Sequence, residues 1–262
     1  MRTLPELTYG QYWLVFNVIS LTIAGMLAAF VYFILSRERV NQRYRIALYL
    51  SAVIVLVAAY HYLRIWESWT GAFQLVDGRY IPTGKPFNDF YRYADWLVTV
   101  PLLLVELILV LGLPKNRTQS LSIRLVFAAI LMLGLGYVGE VSRDVATRNL
   151  WGTLSSIPFV YILYVLWIEL SRVVKEAKYS DQVNILLRNT RLLLLASWGF
   201  YPIAYVLGSW LPGGATQEVA VQVGYSIADI LAKPIYGIMV YAIARAKSLE
   251  EGLETAPIPR AA

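Results

Sequence analysis

Five ionisable residues lie in two otherwise apolar stretches of the chain. Arg92, Asp95 and Glu106 belong to the first stretch, and Asp229 and Lys233 belong to the second. Charged side chains are costly at membrane depth, and those that occur there usually pair with one another and mark a path for ions or protons. The residue types therefore indicate proton transfer between carboxyl groups, with a lysine amine close by.

The spacing of these residues places them on shared helix faces. Arg92 and Asp95 are three residues apart, and Asp229 and Lys233 are four apart, so each pair shares a face. Asp95 and Glu106 are eleven residues apart, which corresponds to about 16 Å along one face. This spacing predicts one carboxyl group near mid-membrane and a second nearer the cytoplasm, as in two stations of a proton relay.

A buried lysine has chemistry of its own. A desolvated amine such as that of Lys233 is available to form a Schiff base with a carbonyl compound. A protonated Schiff base needs a carboxylate counterion, and Asp95 and Asp229 are both candidates.

Each residue also has a purely structural interpretation. Asp229 and Lys233 are spaced for a plain ion pair. Arg92 is placed to extend from a helix end to the membrane interface, and Glu106 to make only an interhelical hydrogen bond. Five such groups together demand extensive compensation, so we favour the functional interpretation.

The elements that must position these residues are membrane helices. Of the 262 residues, 58% are hydrophobic and 15% are charged, whereas soluble domains have about 25% charged residues. This composition argues against a soluble enzyme, a disordered chain or a nucleic-acid-binding domain. The absence of cysteine excludes thiolate metal sites, and the single histidine, His61, argues against a histidine metal centre.

Seven stretches are apolar enough to cross a bilayer, which takes about 20 residues per helix. These spans, A to G, run over residues 7–36, 46–63, 89–113, 125–139, 149–168, 192–217 and 218–246. Asp77 and Gly78 separate two apolar runs between spans B and C and predict a β-hairpin. The predicted fold is all-α, a single seven-transmembrane-helix domain over residues 1–262 with a short hairpin in the B–C loop.

The positive residues predict the orientation of the bundle. One set of connections and the C-terminal end hold Arg37, Arg39, Arg43, Arg45, Lys115, Arg117, Arg124, Arg172, Lys175, Lys178, Arg188, Arg191, Arg245, Lys247 and Arg260. The opposite set holds Arg2, Arg79, Lys85, Arg143 and Arg148. By the positive-inside rule we expect a multi-pass protein of the cell membrane, with the N-terminus outside and the C-terminus in the cytoplasm.

Four segments resemble the helices of microbial rhodopsins. Residues 92–106, RYADWLVTVPLLLVE, resemble the third helix, and residues 229–237, DILAKPIYG, are similar to the retinal-binding seventh helix. Residues 197–202 resemble part of the sixth helix, and residues 150–167 resemble the fifth. The resemblance follows all seven helices in order and extends to the proteorhodopsin and xanthorhodopsin branch.

The resemblance implies a role for each ionisable residue. Lys233 would bind all-trans retinal as a Schiff base. Asp95 would be the primary counterion and proton acceptor, and Asp229 the second counterion. Glu106 would be the cytoplasmic proton donor, and Arg92 would steer released protons outward.

Further residues acquire roles from the same resemblance. Thr99 would hydrogen-bond Asp95, Trp96 and Trp198 would enclose the polyene, and Tyr201 would hold Asp229. The Asp–Thr–Glu triplet at positions 95, 99 and 106 looks like that of outward proton pumps. Leu103 implies absorption of green light.

Two further positions have more than one interpretation under this resemblance. His61 resembles a histidine that bonds the counterion Asp95, and the alternative is a polar residue satisfied between helices. Gly152 matches a glycine that opens a window for a carotenoid in xanthorhodopsins, and the alternative is a glycine of helix packing.

We therefore predict a light-driven outward proton pump with retinal, which is an ion transporter and not an enzyme. A carotenoid antenna is an open addition to this function. A light sensor that signals through a partner is the first alternative, and a membrane carrier or receptor without a chromophore is the second. The expected partners are the lipid bilayer, protons and further copies of the chain, as a trimer or a pentamer, with no nucleic acid.

Overall fold

Seven long helices follow one another along the chain. The computed structural model describes residues 4–88, 90–142, 144–210 and 214–253, with side chains in the sixth helix described as far as Ala204. The helices are α1 Tyr9–Ser36, α2 Arg45–Ala72, α3 Tyr91–Val110, α4 Lys115–Val141, α5 Val145–Ala177, α6 Asp181–Trp210 and α7 Ala215–Glu250. All except α6 meet the length and apolarity expected of a membrane span within the described residues. The predicted all-α bundle is confirmed.

A small antiparallel sheet closes one end of the bundle. Its strands are β1 Leu7–Thr8, β2 Phe73–Val76 and β3 Arg79–Pro82, in the order β1–β3–β2. Asp77 (φ 48°) and Gly78 (φ 78°) form the turn between β2 and β3, with the two positive φ angles that a tight hairpin turn needs. The predicted hairpin is confirmed, and β1 adds a third strand to it.

The helix boundaries differ from the predicted spans where polar residues extend a helix. Span A was wrong at its start, because Leu7 lies in β1 and Thr8 caps α1 by accepting a hydrogen bond from Gln11 N. Helix α4 starts ten residues before span D, and α6 starts eleven before span F. Residues 215–217 begin α7 and were wrongly assigned to span F. Asp89, the predicted start of span C, lies outside the described residues.

Two π-helical segments interrupt the regular hydrogen-bond pattern. One is Val165–Glu169 in α5, and the other is Leu231–Ile235 in α7, which contains Lys233. Pro234 lacks a backbone N–H and cannot continue the regular pattern, so a local rearrangement is expected there. Such single-turn π segments are frequent at functional sites.

The two ends of the bundle differ in charge. The sheet defines the hairpin end, and the opposite end, the basic end, carries the α1–α2, α3–α4 and α5–α6 connections. Large apolar side chains such as Leu35, Phe127 and Ile157 cover the outer surface of the bundle, as in a protein that faces lipid. The interior instead holds buried charges, including Arg92, Asp95, Glu106, Asp229 and Lys233.

Candidate functional site

The centre of the bundle holds one amine between two carboxyl groups. Lys233 Nζ lies 2.6 Å from Asp229 Oδ1 and 3.0 Å from Asp95 Oδ2. The three side chains are at most 2% exposed. Lys233 and Asp229 come from α7, and Asp95 comes from α3, so helix packing unites the two predicted carboxylate candidates around the predicted lysine.

Two tyrosines hold Asp229 in place. Tyr201 Oη donates to Asp229 Oδ1 at 2.5 Å, and Tyr62 Oη donates to Asp229 Oδ2 at 2.8 Å. The sequence interpretation missed Tyr62. Its one available signal was a phenol in an otherwise apolar span, because a buried Tyr O–H usually finds a partner.

Arg92 supplies the second positive charge of this region. Its side chain is buried, and its guanidinium lies over the rings of Tyr62 and Tyr225, 5.6 and 5.1 Å from the ring centroids. It lies one turn nearer the hairpin end than Asp95. Arg92 and Lys233 together balance the charges of Asp95 and Asp229, which is what four buried ionisable groups require.

Asp95 faces the amine of Lys233 with one of its carboxylate oxygens. Thr99 Oγ1 donates to the main-chain oxygen of Asp95 at 3.0 Å, so the described bond of Thr99 reaches the backbone and not the carboxyl group. Asp95 Oδ1 is buried without a hydrogen-bond partner among the described residues. A carboxylate whose Oδ2 lies 3.0 Å from an amine is suited to accept a proton from that amine.

Glu106 occupies a very different environment. Its side chain is fully buried, and Ser51 Oγ donates to its Oε2 at 2.7 Å. Its Oε1 has no hydrogen-bond partner among the described residues. Its separation of eleven residues from Asp95 along α3 places it about 16 Å nearer the basic end. The sequence interpretation missed Ser51, because a serine in an apolar span carries no signal of its partner.

The predicted pairing of His61 with Asp95 is not among the described hydrogen bonds. The ring of His61 is half-buried, and its Nδ1 lies 2.9 Å from Val57 O, one turn earlier in α2. This geometry matches the alternative, a polar residue satisfied locally. The pairing stays a prediction.

A cavity of about 400 Å³ opens next to the lysine. It is mainly apolar, and its lining includes Trp96, Leu103, Gly152, Trp198, Tyr201 and Lys233. The size and lining are typical of sites for small organic ligands. Residues predicted from the sequence to bind retinal therefore share one cavity with Gly152, the position predicted as a possible carotenoid window.

The side chains that line this cavity favour one class of ligand. Two tryptophans and a leucine offer apolar contact, and the amine of Lys233 is a nucleophile for an aldehyde. The adjacent Asp95 and Asp229 can balance a positive charge on the resulting nitrogen. The residues present thus fit a long apolar aldehyde, and retinal has that chemistry.

Comparisons with known proteins agree with this class of ligand. The sequence profile of a family described as bacteriorhodopsin-like protein matches residues 15–247. A green-light absorbing proteorhodopsin from Gamma-proteobacterium EBAC31A08 is 28% identical over 91% of this chain and 87% of its own length.

Two solved structures resemble the chain over nearly its whole length. A thermophilic rhodopsin is 70% identical with a TM-score of 0.95, and the match covers 96% of this chain and 100% of that one. Xanthorhodopsin, described as a light-driven ion pump with dual chromophore, is 54% identical with a TM-score of 0.92 over the same shares.

Proposed function

The chain belongs to the bacteriorhodopsin-like family, and we propose on that premise that it pumps protons outward when illuminated. The single observation that carries the proposal is the placement of Lys233 between Asp95 and Asp229, with Glu106 on the same helix as Asp95 and nearer the basic end. Family membership supports retinal as the chromophore, and the cavity beside Lys233 fits it.

The residues divide the work of binding the chromophore. Retinal bound to Lys233 Nζ through a Schiff base supplies light absorption, a change of shape and a nitrogen that carries a proton. Trp96 and Trp198 supply the apolar walls, and Tyr62 and Tyr201 hold Asp229 in position as a fixed negative charge.

Asp95 is the proton acceptor in this proposal. Its Oδ2 lies 3.0 Å from Lys233 Nζ, within reach of direct proton transfer. Asp229 is less suited to accept a proton, because two tyrosine hydroxyls and the lysine already hold its oxygens. Arg92, one turn closer to the hairpin end, carries a positive charge that disfavours a further positive charge in the Asp95 region and so favours release of a proton that Asp95 has accepted.

Glu106 is the proton donor. It is buried on the opposite side of the lysine from Arg92, so a proton that it releases can refill the central site from the other end. With Glu106 as donor and Asp95 as acceptor, protons move from the basic end towards the hairpin end. We assign the basic end to the cytoplasm by the positive-inside rule, which makes the direction outward.

Glu106 also weighs against a sensory function, because a relay donor has no evident use in a protein that only signals. Gly152 lines the cavity, and the xanthorhodopsin relative is described as having a dual chromophore. A carotenoid beside Gly152 is compatible with the proposal, although a glycine supplies no attraction for it. We also propose, from family membership, that the chain assembles as a homo-oligomer.

The proposal is tested by the pH of a suspension of cells that produce the protein and receive all-trans retinal. Green light should acidify the medium, and a protonophore should abolish the change. Lys233→Ala is the matched control, because it removes the attachment point and should remove both colour and acidification. Coloured cells that leave the pH unchanged would overturn the pump and favour the sensor, and alkalinisation would reverse the proposed direction.

A further inference from the structure

Lys247 is buried at the basic end, although its sequence position suggested a solvated charge of the cytoplasmic face. Its side chain is only 4% exposed. A buried ammonium is costly unless partners replace its water. The contacts of Lys247 therefore indicate what it is for.

The ammonium of Lys247 caps the helix that carries Glu106. Its Nζ donates to Val110 O at 3.1 Å and also to Leu111 O. These carbonyls end α3, where the last turn leaves such groups without intrahelical partners and the helix dipole attracts a cation. No carboxylate lies within 4.0 Å of Lys247 Nζ in the described part of the chain, so its main partners are the carbonyl oxygens at the helix end, which carry a partial negative charge.

The site is built to exclude water from this cation. Lys247 Nζ lies over the rings of Tyr44 and Tyr179, at 4.9 and 4.4 Å from their centroids, which are distances of cation–π attraction. Gly112 follows with φ +65°, and a Cβ there would lie 3.3 Å from Nζ. Glycine thus serves both the turn that ends α3 and the close approach of the lysine.

This contact joins four segments of the bundle. Lys247 belongs to α7, its acceptors end α3, Tyr44 precedes α2, and Tyr179 lies between α5 and α6. Tyr179 Oη donates to Leu111 O at 2.6 Å. Burial raises the pKa of Tyr179 to about 12, so the phenol remains a donor at physiological pH. We call Lys247, Tyr44, Tyr179 and Leu111 the basic-end junction.

The basic-end junction lies at the end of α3, beyond Glu106 in the direction of the basic end. Val110 is four residues beyond Glu106, which is about 6 Å along the helix. Between Glu106 and Val110, Leu107 and Ile108 are fully buried and apolar, and so is Ile243, four residues before Lys247 on α7. A proton that reaches Glu106 from the basic end must therefore pass a dry layer that the junction holds together.

We propose that Lys247 is a positioning residue for proton uptake, which fastens the end of α3 to α7 and thereby limits access of protons to Glu106. This inference rests on the proposed function and names a further residue of the same pathway. The charge-assisted bonds to α3 must loosen before the apolar layer admits water. Removing them should make loosening easier and uptake faster.

The test compares Lys247→Met with the native protein. Methionine keeps most of the apolar length and removes the three N–H donors. Ser248→Ala is the matched control, because Ser248 Oγ accepts from Asn41 N at 2.8 Å at the same end without a described contact to α3. Amide hydrogen exchange of residues 107–113 in the dark should accelerate about tenfold in Lys247→Met and stay unchanged in Ser248→Ala.

A second readout follows protons directly. A pH-sensitive dye after a light flash should show uptake accelerated at least about threefold in Lys247→Met, with the release phase unchanged. Equal exchange and equal uptake in both variants would overturn the inference. If Lys247→Met does not fold, Tyr179→Phe replaces it, because it removes one bond to Leu111 O and keeps the ring, and a smaller change in the same direction is expected.

The two readouts separate this inference from the proposed function. Hydrogen exchange does not require pumping, so it tests the fastening of α3 even if the protein proves to be a sensor. A native protein that releases and takes up no protons would overturn the proposed function. A native pump whose uptake is indifferent to Lys247 would overturn this inference alone.

Discussion

The two carboxyl regions on α3 differ in how their charge is compensated. Asp95 shares its surroundings with Lys233, Asp229 and Arg92, so two positive groups balance two carboxylates. Glu106 has a single described hydrogen bond, from the hydroxyl of Ser51, and mostly apolar neighbours. The same helix thus carries a carboxyl group in a charged cluster and another in a nearly apolar one.

Under the proposed function, this contrast gives the two groups different tasks. A charged cluster stabilises an ionised carboxylate that is ready to accept a proton. An apolar environment with one hydroxyl favours a neutral carboxylic acid that stores one, because an unpaired buried charge is costly. Acceptor and donor are therefore distinguished by their surroundings, since both are carboxyl groups of similar intrinsic acidity.

The largest effect is expected at the charged cluster. Asp95→Asn keeps the size of the side chain and removes the proton acceptor, so light-driven acidification should fall at least about 100-fold. The cavity and Lys233 are untouched, so retinal should still give a coloured protein. Acidification per absorbed photon is the measurement, and Asp181→Asn, at the exposed start of α6, is the control that should pump normally. Full pumping by Asp95→Asn would assign the acceptor to Asp229.

A smaller effect is expected in the apolar region. Glu106→Gln leaves Asp95 in place, so the first proton should still be released after a flash. Refilling from the basic end should slow by about 10- to 100-fold, because the stored proton is gone. Dye-detected release and uptake after single flashes separate these steps. Glu67→Gln, at an exposed glutamate of α2, should leave both phases unaltered, and slowed release in Glu106→Gln would contradict the assignment.

The sequence was sufficient to predict the charged residues of the site but not the uncharged polar residues that contact them. Helical spacing placed Asp229 with Lys233, and Arg92 with Asp95, because charges in apolar spans stand out and a helix fixes their faces. The partners Tyr62 and Ser51 lie on α2, and common polar residues in a span give no sign of what they face across a helix interface.

The burial of Lys247 could not be predicted from the sequence either. Lys247 follows Arg245 near the end of the last span, and a lysine there is typical of the cytoplasmic face. Only the packing of α7 against the end of α3 shows that its ammonium is enclosed. The helix ends were missed for a related reason, because apolar runs mark the lipid-spanning part of a helix and not the polar turns beyond it.

The smallest effect is expected when the single described hydrogen bond of the Glu106 carboxyl group is removed. Ser51 Oγ donates to Glu106 Oε2 at 2.7 Å, and this donation stabilises the carboxylate that remains after the proton has left. Ser51→Ala should therefore slow refilling of the central site by about fivefold, which corresponds to the loss of about 1 kcal/mol from one hydrogen bond. Thr22→Val is the matched control, because Thr22 is equally buried and its hydroxyl bonds only Val18 O among the described contacts. If both variants refilled at the native rate, Ser51 would contribute only to packing, and its hydrogen bond would not affect proton release from Glu106.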